Sequence, residues 1–114
     1  MEENCIFCEI KSGGIDGEIL YQNSECFVIK DIAPKAPIHL LIIPNRHFTN
    51  LSGLKNKDNQ MLGAMYQAAK EMAHRQQVND KGYRLIINQG EDAGQAVDHL
   101  HLHLLAGKKL SLMG

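Results

Sequence analysis

Three histidines alternate with leucines over residues 98–105, which read Asp-His-Leu-His-Leu-His-Leu-Leu. Alternation at period two predicts an extended strand with the imidazoles of His99, His101 and His103 on one face and the leucines on the other. The leucine face suits a hydrophobic core. Imidazoles titrate near neutral pH and are poor core material, so we interpret their face as the lining of a site.

Strand geometry limits what the three histidines can do together. The backbones of His99 and His103 would lie roughly 13 Å apart, because a strand rises about 3.3 Å per residue. Two neighbouring histidines could share one metal ion, whereas three could do so only with strain. The spacing therefore favours three separate tasks, and the plainer alternative is that one or two rings are simply hydrogen-bonded and half-buried.

Two cysteines near the start of the chain form a second candidate site. Cys5 and Cys8 make a Cys-x-x-Cys pair, which is half of a structural zinc site or the start of a redox pair. No strand of the thioredoxin type precedes the pair, so redox chemistry is the weaker interpretation. Cys26 has no cysteine nearby, and we expect it to pack in the core as a small apolar residue.

Length and composition predict one globular domain over residues 1–114. The chain is 44% hydrophobic and 22% charged, with a formal net charge of −1. We expect neither a nucleic-acid partner nor a membrane, because there is no basic surplus and no apolar run long enough to span a bilayer. The acidic, polar start does not read as a signal peptide, which favours a cytosolic protein with reduced cysteines.

Strands and one long helix must position these residues. Spacings of three and four among apolar residues predict a helix over about 58–78. Ile6, Phe7 and Ile10 fit a short helical turn that ends at Ser12-Gly13-Gly14. The apolar stripe of the long helix comprises Met61, Leu62, Met65, Ala68, Ala69, Met72 and Ala73. Further strands are expected at 18–22, 26–30, 38–44 and 83–88. Short hairpins between the strands favour an α+β fold with an antiparallel sheet.

Loops beside these strands carry further polar residues. Asp31 follows the second strand, and His39 begins the next one, so a site role for His39 is as plausible as a satisfied core histidine. His47 lies just past that strand. If it has no role in a site, it is simply a solvated loop residue. The glycine-containing segment 88–97 could bring backbone N–H groups close to an anion, although hairpin turns need glycine in any case.

The histidine segment resembles the signature of the histidine triad (HIT) family, in which three histidines alternate with apolar residues. The likeness extends to Ile6-Phe7, Asp31-Ile32-Ala33-Pro34, His39, Asn88-Gln89-Gly90 and Gly94-Gln95. It is strongest to the nucleotide-binding, purine nucleoside phosphoramidase branch. The resemblance implies a five-stranded antiparallel sheet with one long helix and a short N-terminal helix. It also implies a homodimer that joins two sheets edge to edge and hydrolyses purine nucleoside 5′-phosphoramidates or acyl nucleotides.

The same resemblance implies a role for each site residue. His101 would be the nucleophile that forms a nucleotidyl-histidine intermediate, His103 would lie beside the phosphoryl oxygens, and His39 would hydrogen-bond the other nitrogen of His101. No catalytic metal is needed. Ribose, base and phosphate would be held by Asp31, Ile32, Ile6, Phe7, Ile10, Asn88, Gly94, Gln95, Ala96 and Val97, with Asp31 on the ribose hydroxyls and Asn88 and Gln95 on the phosphate.

The resemblance also implies a metal site, and the sequence departs from the family at two places. Some bacterial members bind zinc through residues equivalent to Cys5, Cys8, His47 and His99, which implies a structural zinc here, with ordinary thiols as the alternative. Ala96 stands where many members have serine, and the tail 107–114 has no tryptophan, so leaving-group preference does not carry over.

A nucleotide-binding regulator with little activity is the second hypothesis. A metalloprotein using the histidine strand as its ligand set is the third and weakest.

Overall fold

The computed structural model describes residues 5–13 and 18–112, so the polar start of the chain and the last two residues lie outside the described part. The helices are α1 (Ile6–Ser12) and α2 (Asn59–Arg75), and the strands are β1 (Tyr21–Gln22), β2 (Cys26–Lys30), β3 (Ile38–Pro44), β4 (Arg84–Ile86) and β5 (Leu102–Ala106). Single 3₁₀ turns occupy Leu51–Gly53, Asn56–Asp58 and Glu91–Ala93. None of the described helices is long and apolar enough to cross a membrane.

The five strands form one antiparallel sheet in the order β1-β2-β3-β5-β4, which confirms the predicted fold class. The histidine-bearing strand β5 therefore lies inside the sheet, between β3 and β4. In the register, His103 is opposite Leu41 on β3 and opposite Ile86 on β4. His39 on β3 is opposite Leu105.

One face of the sheet is covered by α2 and forms the main core. Leu100, Leu102 and Leu104 pack there against the apolar stripe of α2, which confirms the direction predicted for the leucine face. Every predicted stripe residue is buried except Leu62, which is half-buried. Cys26 is fully buried in the same cluster, as expected, and burial raises the pKa of its thiol to about 11.

The opposite face carries α1 and a smaller apolar cluster. Side chains alternate along β2 and β3, so Phe27 and Leu41 point away from α2 and join Cys5 and Phe7 in this second cluster. Because His103 is opposite Leu41, it emerges on the same face. The sheet thus separates a leucine side, packed by α2, from a histidine side, partly covered by α1.

The histidine strand is shorter at its start than the alternation predicted. β5 begins at Leu102, so of the three histidines only His103 lies on it, while His99 and His101 occupy the irregular segment before it. Pairing of β3 with β5 stops at Ile42 and Leu102. Farther along β3, Pro44 has no N–H to donate, and its carbonyl accepts a hydrogen bond at 3.0 Å from Nε2 of His99. A side chain thus replaces the next ladder bond.

Three other predicted elements were too long. The first strand comprises two residues rather than 18–22, and β4 spans three rather than 83–88. Helix α2 ends at Arg75 instead of about 78. Gln77 adopts a left-handed φ of 60° two residues later, which a helix cannot accommodate.

Candidate active site

His101 presents one unengaged ring nitrogen. Its ring is 6% exposed, and Nδ1 donates a hydrogen bond to the carbonyl oxygen of His99 at 2.7 Å. A carbonyl can only accept, so in the neutral ring the proton is on Nδ1 and the lone pair is on Nε2. No hydrogen bond between described residues uses this Nε2. A neutral imidazole nitrogen with its lone pair available can act as a nucleophile.

His39 bonds His103 rather than His101, so the partner expected for His39 was wrong. The backbone N–H of Lys35 donates to Nδ1 of His39 at 3.0 Å, which makes that nitrogen an acceptor. The neutral ring then carries its proton on Nε2, which lies 2.9 Å from Nδ1 of His103 and 3.4 Å from a carboxylate oxygen of Asp31. His103 must accept at Nδ1, and its own proton is therefore on Nε2.

Burial keeps both rings of this pair neutral. It lowers the pKa of His39, and the Asp31 carboxylate opposes that effect only in part. Burial, with smaller contributions from His101 and His39, lowers the pKa of His103 to about 4. Near pH 7 neither ring is protonated, so the tautomers set by the Lys35 amide persist.

We expect the free energy of unfolding to fall as the pH drops from about 6.5 towards 4, because the unfolded chain protonates His103 before the folded protein does. A shift of this size is worth up to about 3 kcal/mol for a fully buried ring, and for this half-buried one we expect about 2 kcal/mol. Urea unfolding at several pH values measures it. The loss should be smaller in His103→Gln, and identical slopes in both proteins would contradict the assignment.

Aromatic packing joins the histidines to α1. The ring centroids of His101 and His103 are 4.9 Å apart. Phe7, which is 5% exposed, makes T-shaped contacts with His101 and His99, at ring-centroid distances of 5.2 and 5.7 Å. Phe7 was predicted to belong to the base-binding slot. The structure places it against His101 and His99.

The loop over residues 88–97 is braced by Gln95, whose predicted contact to phosphate does not suit this geometry. Its amide nitrogen donates to the carbonyls of Thr49 at 2.6 Å and Val97 at 3.2 Å, and its oxygen accepts from the N–H of Gly90. Both amide hydrogens are thus used inside the protein. Ala96 is exposed on this loop, Asn88 is half-buried, and Gly94 has a left-handed φ of 81°.

Apolar side chains predicted to bind the nucleotide are divided between two environments. Ile10 and Val97 pack against the apolar cluster beneath α1. Ile32 and Ile6 are 94% and 40% exposed, although large apolar side chains gain free energy when covered. Ile32 follows Asp31, whose second carboxylate oxygen accepts the N–H of Ala33 at 2.8 Å. An apolar ligand surface would cover both exposed isoleucines.

Cys5, Cys8, His47 and His99 converge as the resemblance implied, with all four candidate ligand atoms within 4.8 Å of one another. The Nδ1 atom of His99 lies 3.3 Å from the sulfur of Cys5 and 3.6 Å from that of Cys8. The sulfur of Cys8 lies 3.4 Å from Nδ1 of His47. Tetrahedral zinc with two thiolates and two imidazoles needs nitrogen–sulfur separations of about 3.6 Å, so these residues fit that ion.

A buried carbonyl orients His99 for such a site. Its Nε2 donates to the Pro44 carbonyl, so the neutral ring carries its lone pair on Nδ1, which is the nitrogen beside both sulfurs. Burial lowers the pKa of His99 to about 4 and keeps it in this neutral form. His99 thus contacts the two sulfurs through its ring Nδ1 and accepts the hydrogen bond of His101 through its backbone carbonyl.

Sequence reasoning missed two backbone groups of the site. The N–H of Lys35 fixes the tautomer of His39, and the carbonyl of Pro44 fixes that of His99. Every residue has such groups, so neither carried a signal. A cavity of about 640 Å³ elsewhere contains none of the predicted site residues, and is lined by Gln77, Val78, Lys81, Gly82, Tyr83, Arg84, Gly107, Lys108, Lys109 and Leu110.

Comparisons with known proteins identify the relatives of this chain. The family model described as "Scavenger mRNA decapping enzyme C-term binding" matches residues 4–113. A HIT-like protein of Buchnera aphidicola subsp. Acyrthosiphon pisum is 40% identical over 110 residues, 96% of each chain. A HIT-like protein of Synechocystis is 40% identical over 111 residues, 97% of this chain and 96% of its own.

Solved structures give the same result. A HIT family hydrolase from Clostridium thermocellum is 41% identical and superposes with a TM-score of 0.94. The match covers 99% of this chain and 98% of the hydrolase chain. A histidine triad protein from Clostridium difficile is 33% identical, covers 100% and 99%, and also has a TM-score of 0.94. With the complete His-Leu-His-Leu-His-Leu-Leu segment and the matching family model, these likenesses show that the chain belongs to the histidine triad family.

Proposed function

We propose that this protein hydrolyses purine nucleoside 5′-phosphoramidates, or related acyl nucleotides, through a nucleotidyl-histidine intermediate. The observation that carries the proposal is the state of His101, whose Nδ1 is bonded to the His99 carbonyl while Nε2 keeps its lone pair. The structural relatives named as HIT family hydrolases support hydrolysis as the reaction type.

The reaction would proceed in two displacements at phosphorus. The Nε2 lone pair of His101 attacks the α-phosphorus, the phosphorus–nitrogen bond breaks, and the amine leaves after taking a proton from solvent. Water then attacks the same phosphorus, loses a proton, and breaks the bond to Nε2. These steps release the nucleoside monophosphate and restore neutral His101.

Neighbouring groups would stabilise the transition states. His103 carries its proton on Nε2 because His39 donates to Nδ1, so it can donate a hydrogen bond to a phosphoryl oxygen. Asp31 has carboxylate lone pairs left for the ribose hydroxyls, and the exposed Ile32 and Ile6 would cover the base. Each role uses a side chain in the state in which the protein holds it.

We also propose one structural zinc ion on Cys5, Cys8, His47 and His99. Its support is the donor set, two thiols and two imidazoles at nearly tetrahedral separations. The ion would supply fold stability, and no catalytic metal is needed. A homodimer formed by edge-to-edge pairing is proposed as well, because β4 ends the sheet order and its outer edge has no partner among the described residues.

Turnover of adenosine 5′-phosphoramidate by metal-stripped protein tests the function. We expect hydrolysis to AMP and ammonia without added metal, together with an adenylyl group on His101 after rapid denaturation. Binding of AMP without turnover would favour a nucleotide-binding regulator. Activity that appears only with metal would favour a metalloenzyme in which the histidines are ligands.

The regulator remains the second candidate because Ala96 offers no hydroxyl to the leaving group. Ala96 is exposed on the loop before the histidines, so a serine fits there without repacking. Ala96→Ser therefore belongs in the same assay as the wild type. A gain of about tenfold, or 1.4 kcal/mol of transition-state stabilisation, would identify the missing hydroxyl as the limit on turnover.

A further inference from the structure

Helix α1 is joined to the sheet by the same two cysteines that form the candidate metal site. Cys5 is its N-cap residue and Cys8 lies in its first turn. The sulfurs of Cys5 and Cys8 contact ring nitrogens of His47 and His99 and so link this segment to the sheet side. The ion-paired residues of the described chain all lie elsewhere.

A helix this short cannot hold its own position. Helix α1 has seven residues, and isolated helices below about 12 residues are marginal in water. Phe7 is its one buried residue. A thiol is a weak hydrogen-bond donor, whereas metal–thiolate bonds to both cysteines would fix the first turn firmly. Phe7 and Ile10 pack α1 against the apolar cluster of the sheet, and the state of the four-residue cluster adds to how tightly α1 is held.

The residues between the two cysteines, Ile6 and Phe7, lie beside the proposed nucleotide site. Phe7 makes T-shaped contacts with His101, the proposed nucleophile, and with His99, at centroid distances of 5.2 and 5.7 Å. Ile6, beside it, is 40% exposed and belongs to the slot proposed for the base. A displacement of α1 would move both side chains while leaving His101 on its hydrogen bond to the His99 carbonyl.

We propose that metal and nucleotide bind cooperatively in this protein, with α1 as the element that links the two sites. The metal fixes α1, and α1 presents Ile6 and Phe7 to the base. This proposal rests on the proposed function, because it requires that a nucleotide occupy the histidine face. Linkage is reciprocal, so any factor by which the metal tightens nucleotide binding must also be the factor by which the nucleotide tightens metal binding.

Titration of AMP into zinc-loaded and chelator-stripped protein measures one side of this linkage. Competition of a chromophoric chelator for zinc, with and without saturating AMP, measures the other. We expect AMP to bind about tenfold more weakly to the stripped protein and zinc to bind about tenfold more tightly with AMP. Both readouts are equilibrium affinities and are independent of turnover.

Two variants separate α1 from the rest of the base slot. In Ile6→Ala, the zinc-loaded protein should bind AMP almost as weakly as the stripped protein does. The coupling factor, which is the ratio of the two AMP affinities, should therefore shrink. Zinc binding in the absence of AMP should be unchanged. Ile32→Ala is the matched control, since Ile32 is exposed but lies outside α1. It should weaken AMP binding equally in both forms and leave the coupling factor intact.

Three outcomes would overturn the inference. Equal AMP affinity in the loaded and stripped forms would show that α1 is held without metal, and the proposed function would stand. No AMP binding in either form would remove the proposed function and this inference with it. Global unfolding of the stripped protein, seen by circular dichroism, would show that the metal holds the whole fold rather than α1.

Discussion

Replacing His101 with alanine should lower the rate of adenosine 5′-phosphoramidate hydrolysis by a factor of at least about 10³, because the covalent step loses its nucleophile. AMP binding should change by less than about tenfold, or roughly 1.4 kcal/mol, since the ribose and base contacts remain. Single-turnover rates and calorimetric titration with AMP measure the two quantities on the same protein.

The matched control for this variant is His74→Ala. His74 is an exposed histidine in the last turn of α2, outside the candidate site, so its loss should leave rate and affinity unchanged. A thermal melt of the His101 variant checks that the fold survives removal of a ring that is 6% exposed. Turnover near that of the wild type in a folded His101→Ala protein would rule out the covalent route.

Replacing Cys5 or Cys8 with serine should remove zinc and lower the melting temperature by about 10 °C, which corresponds to roughly 3 kcal/mol for a chain of this size. The two sulfurs supply half of the ligand set, and hard serine oxygens are poor substitutes. The rate at saturating nucleotide should fall by less than about tenfold, because His101 keeps its bond to the His99 carbonyl. Elemental analysis should give about one zinc per wild-type chain.

Cys26→Ala is the control that separates metal loss from a lost core side chain. Cys26 is fully buried against α2, on the opposite face from the cluster, so its truncation should lower stability but leave the zinc content at one. Wild-type protein that is free of metal, fully active and as stable as the zinc-loaded form would show Cys5 and Cys8 to be ordinary thiols.

Local patterns predicted the parts of the fold that depend on side-chain periodicity. The leucines between the histidines pack against α2, and the bounds of β2 and β3 agree with the sequence, because long apolar runs and prolines mark them clearly. Strand ends were less predictable. Where β5 starts depends on the point at which Pro44 stops pairing, and that requires the register between two distant strands.

In the candidate site, too, some features could be predicted from the sequence and others could not. Side chains with unusual chemistry, such as Cys5, Cys8 and the histidines, were identifiable from their types and spacing. Their pairings were not. His39 bonds His103 because β3 and β5 are neighbours with Leu41 opposite His103, and the tautomer of His39 depends on one amide of the preceding loop. The sequence predicted that Gln95 would donate to a phosphate. In the structure its amide nitrogen donates to backbone carbonyls of Thr49 and Val97, which the sequence could not indicate.

The interior position of β5 also determines how the protein opens. His103, Leu104 and Leu105 are paired on both sides, with β3 and with β4, so their amide protons can exchange with solvent only when the sheet itself comes apart. Their exchange rates should report the global free energy of unfolding, and His103 shares that protection. Segments tethered by a few contacts, such as α1, should exchange through small local openings that leave the histidine strand closed.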